Sequence, residues 1–416
     1  MTRSPVWHAF TQHGLNEPIP QITRAEGVWL YGADGRRWID AISSWWVTTH
    51  GHCHPRIMAA IRAQTEALDQ LIFAGWTHEP AEHLAQSLVA LAPDPLKYCF
   101  FSDSGSTSVE VALKMALGFW RARAEPRHRI VVLEHSYHGD TIGAMSVGAR
   151  GVFNQAYAPL LFDVETAPFP LGTGQNSLDA LEAACRAPER PAAFIVEPLI
   201  LGAGGMLVYG ADVLRAMKEI CAAHGVLFIL DEVMTAWGRT GTMFACEQAG
   251  IAPDIMCLSK GLTGGSLPLA ATLATEAIYD AHYSRSRADM FYHSSSYTAN
   301  PVACAAANAN LAVWAEEPVR ERIASLSALQ ASQIDALHAP RLINKRRCGT
   351  ITAMDVTSLS PGYLDDIGPR MAAAFRKCGV LLRPMGNVIY VMPPYCITAP
   401  ELDIVYQAIA EVVEAI

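Results

Sequence analysis

Apolar and polar positions alternate in blocks along this chain. From about residue 98 to 260, short aliphatic runs are each followed by a helical pattern. CFFSDSG leads into a stretch with Val109, Ala112, Leu113, Ala116, Leu117 and Trp120 on one helical face. RIVVLEHSYHG, AAFIVEPLILGAGG, GVLFILDEV and DIMCLSK read as strands ending in polar or glycine-rich loops. Strands interleaved with helices in this way predict an α/β fold with a mostly parallel central sheet. Near the start, GVWLYGADGRRWIDAIS predicts a hairpin turning at Ala33, Asp34 and Gly35. Near the end, VLLRPMGNVIYVMPPYCIT predicts antiparallel strands around Met385, Gly386 and Asn387, followed by a helix from about Pro400. The alanine-rich segment from Ala303 to Ala312 predicts a buried helix.

At 416 residues the chain exceeds the size at which a single core stops growing. The expected division is a large α/β domain over 49–310 and a small α+β domain assembled from both termini, 1–48 and 311–416.

Composition narrows the function classes. Apolar residues make up 51% and charged residues 17%, which excludes disorder, and no run reaches the roughly 18 apolar residues that a membrane-spanning helix needs. The formal charge is −9, from 31 basic against 40 acidic residues, and the densest basic cluster is only Lys345, Arg346 and Arg347, so no nucleic-acid partner is expected. The opening MTRSPVWHAFTQHG has neither the apolar core of a signal peptide nor the bias of a transit peptide. Ten scattered cysteines without a C-x-x-C pair suit a reducing compartment, and the expected location is cytoplasmic.

Two polar elements stand at the ends of predicted buried strands: the acid pair Asp231 and Glu232 after GVLFIL, and Lys260 after DIMCLS. In an open α/β sheet the carboxyl ends of the strands are where ligands sit. Each element alone is commonly a helix cap or a solvated loop. Together they suit pyridoxal phosphate, whose aldehyde takes an amine as a Schiff base and whose ring nitrogen takes an anionic partner. FFSDSGSTSVEVALKMAL adds Asp103, Ser104, Gly105 and Ser106 at a strand-to-helix turn, where free amides and the helix dipole hold a phosphate; the plain alternative there is an ordinary N-cap. HSYHGD puts Tyr137 where an aromatic ring can stack on a flat cofactor, or simply cap the core. HGHCHP (His50, His52, Cys53, His54) looks metal-like, but alternating spacing on a strand points neighbouring ligands to opposite faces, and no metal is expected. The glycines of LGAGGM and LTGGS match no nucleotide-binding loop.

DSGSTSVEVALKMAL, SYHGDTIGAMSVG, EPLILGAGGM, ILDEVMTAWGRTG, LSKGLTGGSLPLAAT and NPVACAAANA, in this order, resemble the class III pyridoxal-phosphate aminotransferases of the aspartate-aminotransferase fold, over nearly the whole chain. Within that class, WHAFT, ISSWWVTTHGHCHP, AGWTHEP and LLRPMGNVIYVMPPY are similar to the biotin-pathway branch, which moves an amino group from adenosylmethionine to 8-amino-7-oxononanoate. The resemblance implies roles residue by residue. Lys260 is the Schiff-base lysine and proton shuttle, and Asp231 is the partner of the ring nitrogen. Gly105 and Ser106 hold the phosphate, and Tyr137 covers a ring face. Phe10, Trp45 and Trp46 line the substrate cleft, and Arg383 takes a distant carboxylate. It also implies a homodimer with the active site at the interface. There Ser295 and Ser296 would serve the neighbouring subunit's cofactor and Ser294 the substrate, in a stretch that reads H-G-P-T-F in those enzymes. Phe10 stands where they carry tyrosine, which leaves the donor open between adenosylmethionine and lysine, an ω-amino acid or a diamine.

Overall fold

A computed structural model of the chain describes residues 4–416. Near the start, strands β1 (Ile22–Glu26), β2 (Trp29–Gly32) and β3 (Arg37–Asp40) form an antiparallel meander. The β2–β3 turn lies where the sequence puts it: Gly35 N donates to Gly32 O at 3.1 Å, and Asp34 Oδ1 accepts from Arg36 N at 3.1 Å.

The central sheet follows. Its strands are β4 (Leu96–Ser102), β5 (Ile130–Leu133), β6 (Glu165–Ala167) and β7 (Ala193–Val196); after a small hairpin of β8 (Ile200–Leu201) and β9 (Leu207–Val208) come β10 (Leu227–Asp231), β11 (Ile255–Leu258) and β12 (Ala270–Thr275). The order is β4-β12-β11-β10-β7-β5-β6. Only β12 runs against the rest, pairing antiparallel with both β4 and β11. Strands β5, β7, β10 and β11 are buried at every position because helices cover both faces, which is why they read as unbroken aliphatic runs. Each fully buried Val, Leu, Ile or Phe there contributes about 1.5–3 kcal/mol of transfer free energy. The helix Gly105–Ala122 covers one face with Val109, Ala112, Leu113 and Ala116, as its spacing predicts.

The termini meet. Strands β13 (Leu342–Cys348) and β14 (Ile351–Val356) pair with each other, and β14 also pairs with a last strand. The hairpin expected around Met385, Gly386 and Asn387 is corrected here. Its turn is real, with reciprocal hydrogen bonds between Met385 and Val388 at 2.9 and 3.1 Å, but its two arms join different sheets. Strand β15 (Val380–Leu381) lies parallel to β3, whereas β16 (Val388–Val391) lies antiparallel to β14. Pro384 has no N–H to give a ladder, so the arm before the turn is released to complete the amino-terminal sheet. The closing helix Ala399–Ala415 begins with a Thr398/Glu401 capping box, and Glu401 Oε1 also accepts from Trp29 Nε1 at 2.7 Å.

The alanine-rich helix is Pro301–Glu316, capped by Asn300 and largely buried, and the domain boundary expected between 310 and 311 falls inside it. Among the described residues no helix is long and apolar enough to cross a membrane.

Candidate active site

Five strands of the central sheet deliver polar groups at their carboxyl ends, and these groups converge. Strand β11 ends at Leu258, and Lys260 follows with a φ of +47°. That left-handed conformation is unfavourable for a residue with a Cβ and persists because its surroundings over-determine it. Trp237 Nε1 donates to Ser259 O at 3.2 Å, Ser259 Oγ to Leu269 O at 2.8 Å, and the buried Asn310 Nδ2 to both Gly261 O and Leu262 O at 3.1 and 3.0 Å. Gly261 is obligatory, since a Cβ there would lie 2.8 Å from Trp237 and 2.9 Å from Thr49. The Lys260 amine sits 4.8 Å from the centre of the Trp46 ring. Removal of water lowers its pKa from 10.5 to about 8, against the opposing pull of Asp231 and Glu197. The neutral, nucleophilic fraction of this amine near physiological pH is therefore a minority, but far larger than for an exposed lysine.

Asp231 ends β10, buried, with Oδ1 accepting from Val233 N at 3.1 Å and Oδ2 lying 2.7 Å from Nδ1 of the buried His138. Because a carboxylate only accepts, the imidazole donates from Nδ1; its Nε2 is buried without a partner. Glu197 follows β7 and takes N–H groups from Tyr137 at 3.1 Å and Gly202 at 2.9 Å. Burial above all, and the neighbouring Asp231 charge, push its pKa up to about 7. Glu232 is also fully buried, but it serves the fold, accepting from Thr235 Oγ1 and from the amides of Ala245 and Cys246.

Behind β4, Ser104 and Thr107 cap the helix Gly105–Ala122 on each other, which leaves the amides of Gly105 and Ser106 free toward a cavity of about 150 Å³. Trp46, Tyr137, His138, Asp231 and Lys260 line the same cavity. Backbone approach is close: a Cβ on Gly105 would lie 2.7 Å from Val233, and one on Gly139 (φ +125°) would lie 2.0 Å from Ser106 Oγ. Ser106 Oγ is fixed by the N–H of Asp140 at 3.1 Å.

A buried amine, a buried carboxylate and an amide cup at a helix start therefore share one cavity at the carboxyl edge of the sheet. The class III aminotransferase family (Aminotransferase class-III) matches residues 11–413. The chain belongs to this family. A relative from Synechococcus elongatus, named adenosylmethionine-8-amino-7-oxononanoate aminotransferase, is 47% identical and covers 99% of each chain. The solved enzyme of the same name from Methanocaldococcus jannaschii superimposes with a TM-score of 0.95 at 33% identity, over 99% of this chain and 97% of that one. A PLP-bound amine transaminase from an uncultivated Pseudomonas species gives a TM-score of 0.92 at 32% identity, over 100% of this chain and 99% of that one. The fold is thus that of the pyridoxal-phosphate transaminases, and this class III aminotransferase uses pyridoxal phosphate. Its residues fit the cofactor: the amides of Gly105 and Ser106 suit the phosphate, Asp231 the ring nitrogen and Lys260 the aldehyde.

A second cavity of about 370 Å³ opens from Lys260. The aminotransferase has Phe10, Trp45, Trp46, Tyr137 and Arg383 on its walls, all named from sequence. Trp46 is buried and donates through Nε1 to Tyr390 Oη at 3.1 Å, whereas Trp45 is 41% exposed. The Arg383 guanidinium lies 4.8 Å from the Trp45 ring and 5.4 Å from Phe10. Ser294, Ser295 and Ser296 line neither cavity within one chain. Ser294 and Ser296 are exposed, while Ser295 Oγ accepts from Tyr297 N at 3.0 Å. The histidines of HGHCHP each have a protein partner: His50 binds Asn310 at 2.9 Å, His52 binds Asp40 at 2.8 Å and His54 binds Glu317 at 3.1 Å.

Four site residues carried no assigned role from sequence. His138 and Glu197 had a signal, since each follows an aliphatic strand at the same edge as Asp231. Phe153 and Tyr363, which close the second cavity, lie on irregular segments without any periodic signal.

Proposed function

We propose that this aminotransferase moves an amino group from adenosylmethionine to 8-amino-7-oxononanoate, giving 7,8-diaminononanoate in biotin biosynthesis. The reading rests on one observation above all. The cleft that starts at Lys260 ends at an arginine without a carboxylate partner among the described residues, and Phe10, Trp45, Trp46, Tyr137 and Phe153 line it between, with Asp140 also on the wall. An acceptor with an amino ketone at one end, a methylene chain and a terminal carboxylate matches that sequence of surfaces. The shared name of the Synechococcus and Methanocaldococcus relatives supports the same reading.

Pyridoxal phosphate, when bound, supplies the electron sink that lets nitrogen leave one carbon and be installed on another. The rest falls to this chain. Gly105 and Ser106 bind the phosphate through backbone amides at the positive end of the helix. Asp231 Oδ2 and Oδ1, fixed by His138 and Val233, hold the proton on the ring nitrogen. Lys260 Nζ, its pKa lowered to about 8 by its dry surroundings, would move the proton between the substrate carbon and the cofactor carbon, off one and onto the other in each half-reaction. Tyr137 flanks the ring, and Trp45, Trp46 and Phe10 exclude water from the chain of the substrate. Donor and acceptor use the same site in turn, as ping-pong chemistry requires.

Phe10 favours keeping a second donor class in view. Its ring, 5.4 Å from Trp45, offers an edge-to-face aromatic surface for adenine but no hydroxyl, so lysine or an ω-amine remains the alternative donor. We further infer a cytoplasmic homodimer. Tyr283, Met290, Tyr292 and Tyr297 are exposed beside Ser294, Ser295 and Ser296, an apolar surface that a second copy would cover while bringing those serines to its cofactor. The deciding assay mixes holoenzyme and 8-amino-7-oxononanoate with adenosylmethionine, lysine or small ω-amines and looks for the diamine. Product with lysine alone reassigns the donor; absence of product with adenosylmethionine, lysine and small ω-amines alike overturns the acceptor.

A further inference from the structure

We propose that Tyr363 is a specificity-determining residue for the acceptor and, with Arg383, forms a two-point seat for its terminal carboxylate. This rests on the acceptor reading above. Arg383 Nη2 donates to Tyr363 Oη at 3.1 Å, and that is the guanidinium's one hydrogen bond among the described residues. A phenol has one hydrogen to donate as well as lone pairs to accept. Its oxygen accepts from the arginine, and its own O–H has no acceptor among the described residues. The two side chains therefore present unspent donors from adjacent points, the arrangement that suits an anion with two oxygens.

The position of Tyr363 is built rather than incidental. The Gly362 amide donates to Asn387 Oδ1 at 3.1 Å, and Asn387 Nδ2 donates to Val356 O at 3.1 Å. Gly386, with φ +60°, packs so tightly on this segment that a Cβ would lie 1.7 Å from Gly362 O. The turn that pins the tyrosine begins two residues after Arg383, so one backbone element fixes both halves of the seat. The Tyr363 ring also meets Phe153 edge to face, with centroids 4.5 Å apart at 65°. That contact closes the apolar wall beside the arginine and keeps water from competing for the carboxylate.

The test compares wild-type holoenzyme with Tyr363→Phe, which keeps the ring and wall and removes only the hydroxyl. Three quantities are read: steady-state KM and kcat for 8-amino-7-oxononanoate, the same for its methyl ester, and calorimetric affinity for nonanoate, which carries the carboxylate but undergoes no reaction. The expected result is roughly a tenfold rise in KM for the acid and a similar loss of nonanoate affinity, the order of one charge-assisted hydrogen bond. The kcat and the methyl ester should stay within about twofold, the spread of a change that touches no other group of the acceptor. Equal losses with acid and ester, or unchanged nonanoate affinity, overturn the proposal. Wild-type turnover of 8-amino-7-oxononanoate separately decides the acceptor reading, because nonanoate binding reports the seat even if the natural acceptor is another carboxylate.

Discussion

Imidazole Nδ1 of His138 and carboxylate Oδ2 of Asp231 lie 2.7 Å apart, and both side chains are buried. The histidine fixes the direction in which the carboxylate faces the cavity. Asp231→Asn keeps the size of the side chain and removes its charge. Cofactor should still be captured by Lys260 and the amide cup, while turnover falls by roughly 10²- to 10³-fold, the scale of removing one preorganised electrostatic group. His138→Asn, which leaves the charge in place, should cost less. Single-turnover rates with cofactor occupancy read from visible absorbance check both; near-normal turnover in Asp231→Asn would move the acid partner elsewhere.

Lys260→Ala should abolish transamination and the aldimine absorbance while leaving the circular dichroism unchanged, because no other amine lines the cavity. The depressed pKa has a kinetic consequence as well. Attack on the cofactor aldehyde requires the neutral amine, so in apoprotein the rate of cofactor capture should rise with pH with a midpoint near 8, rather than near 10.5 as for an exposed lysine. Stopped-flow absorbance across pH 6.5–10 gives the midpoint, and one above 10 would refute the dry environment.

Arg383→Ala should lose roughly 2 to 5 kcal/mol in kcat/KM for 8-amino-7-oxononanoate, and Arg383→Lys should not restore it fully, since an ammonium neither forks onto a carboxylate nor stacks on Trp45 and Phe10 in the same way. If the arginine only braces the cavity wall, acceptors with and without a carboxylate will suffer equally and the melting temperature will drop.

The donor turns on Phe10. Adenosylmethionine should convert the wild-type cofactor to its amine form, and Phe10→Tyr should change that efficiency by no more than one hydrogen bond's worth, roughly 0.5 to 1.5 kcal/mol. Half-reactions with adenosylmethionine, lysine and small ω-amines, followed by loss of absorbance, distinguish the donors. Bleaching by lysine alone would reassign the donor and leave the aminotransferase class intact.

Much of this molecule was determined by the sequence alone, for local reasons. The runs IVVL, AFIV, LFIL and IMCL are short, aliphatic and each followed by a polar loop, the pattern of strands covered on both faces, and each is such a strand. The groups that follow them, Tyr137, Asp231 and Lys260, consequently had to emerge at one edge of the sheet, and a serine- and glycine-rich helix start had to face them. Tertiary structure decided what depends on partners distant in the chain. Whether the arms around Met385 pair with each other or with separate sheets depended on β3 and β14, far away in sequence, competing for the same backbone groups. Nothing local in HGHCHP says that its histidines would each be taken by Asn310, Asp40 and Glu317. The same holds for Tyr363, whose loop has no periodicity to read. Its meeting with Arg383 exists only because Gly362 is held on Asn387 and because Gly386 has no side chain to push it away.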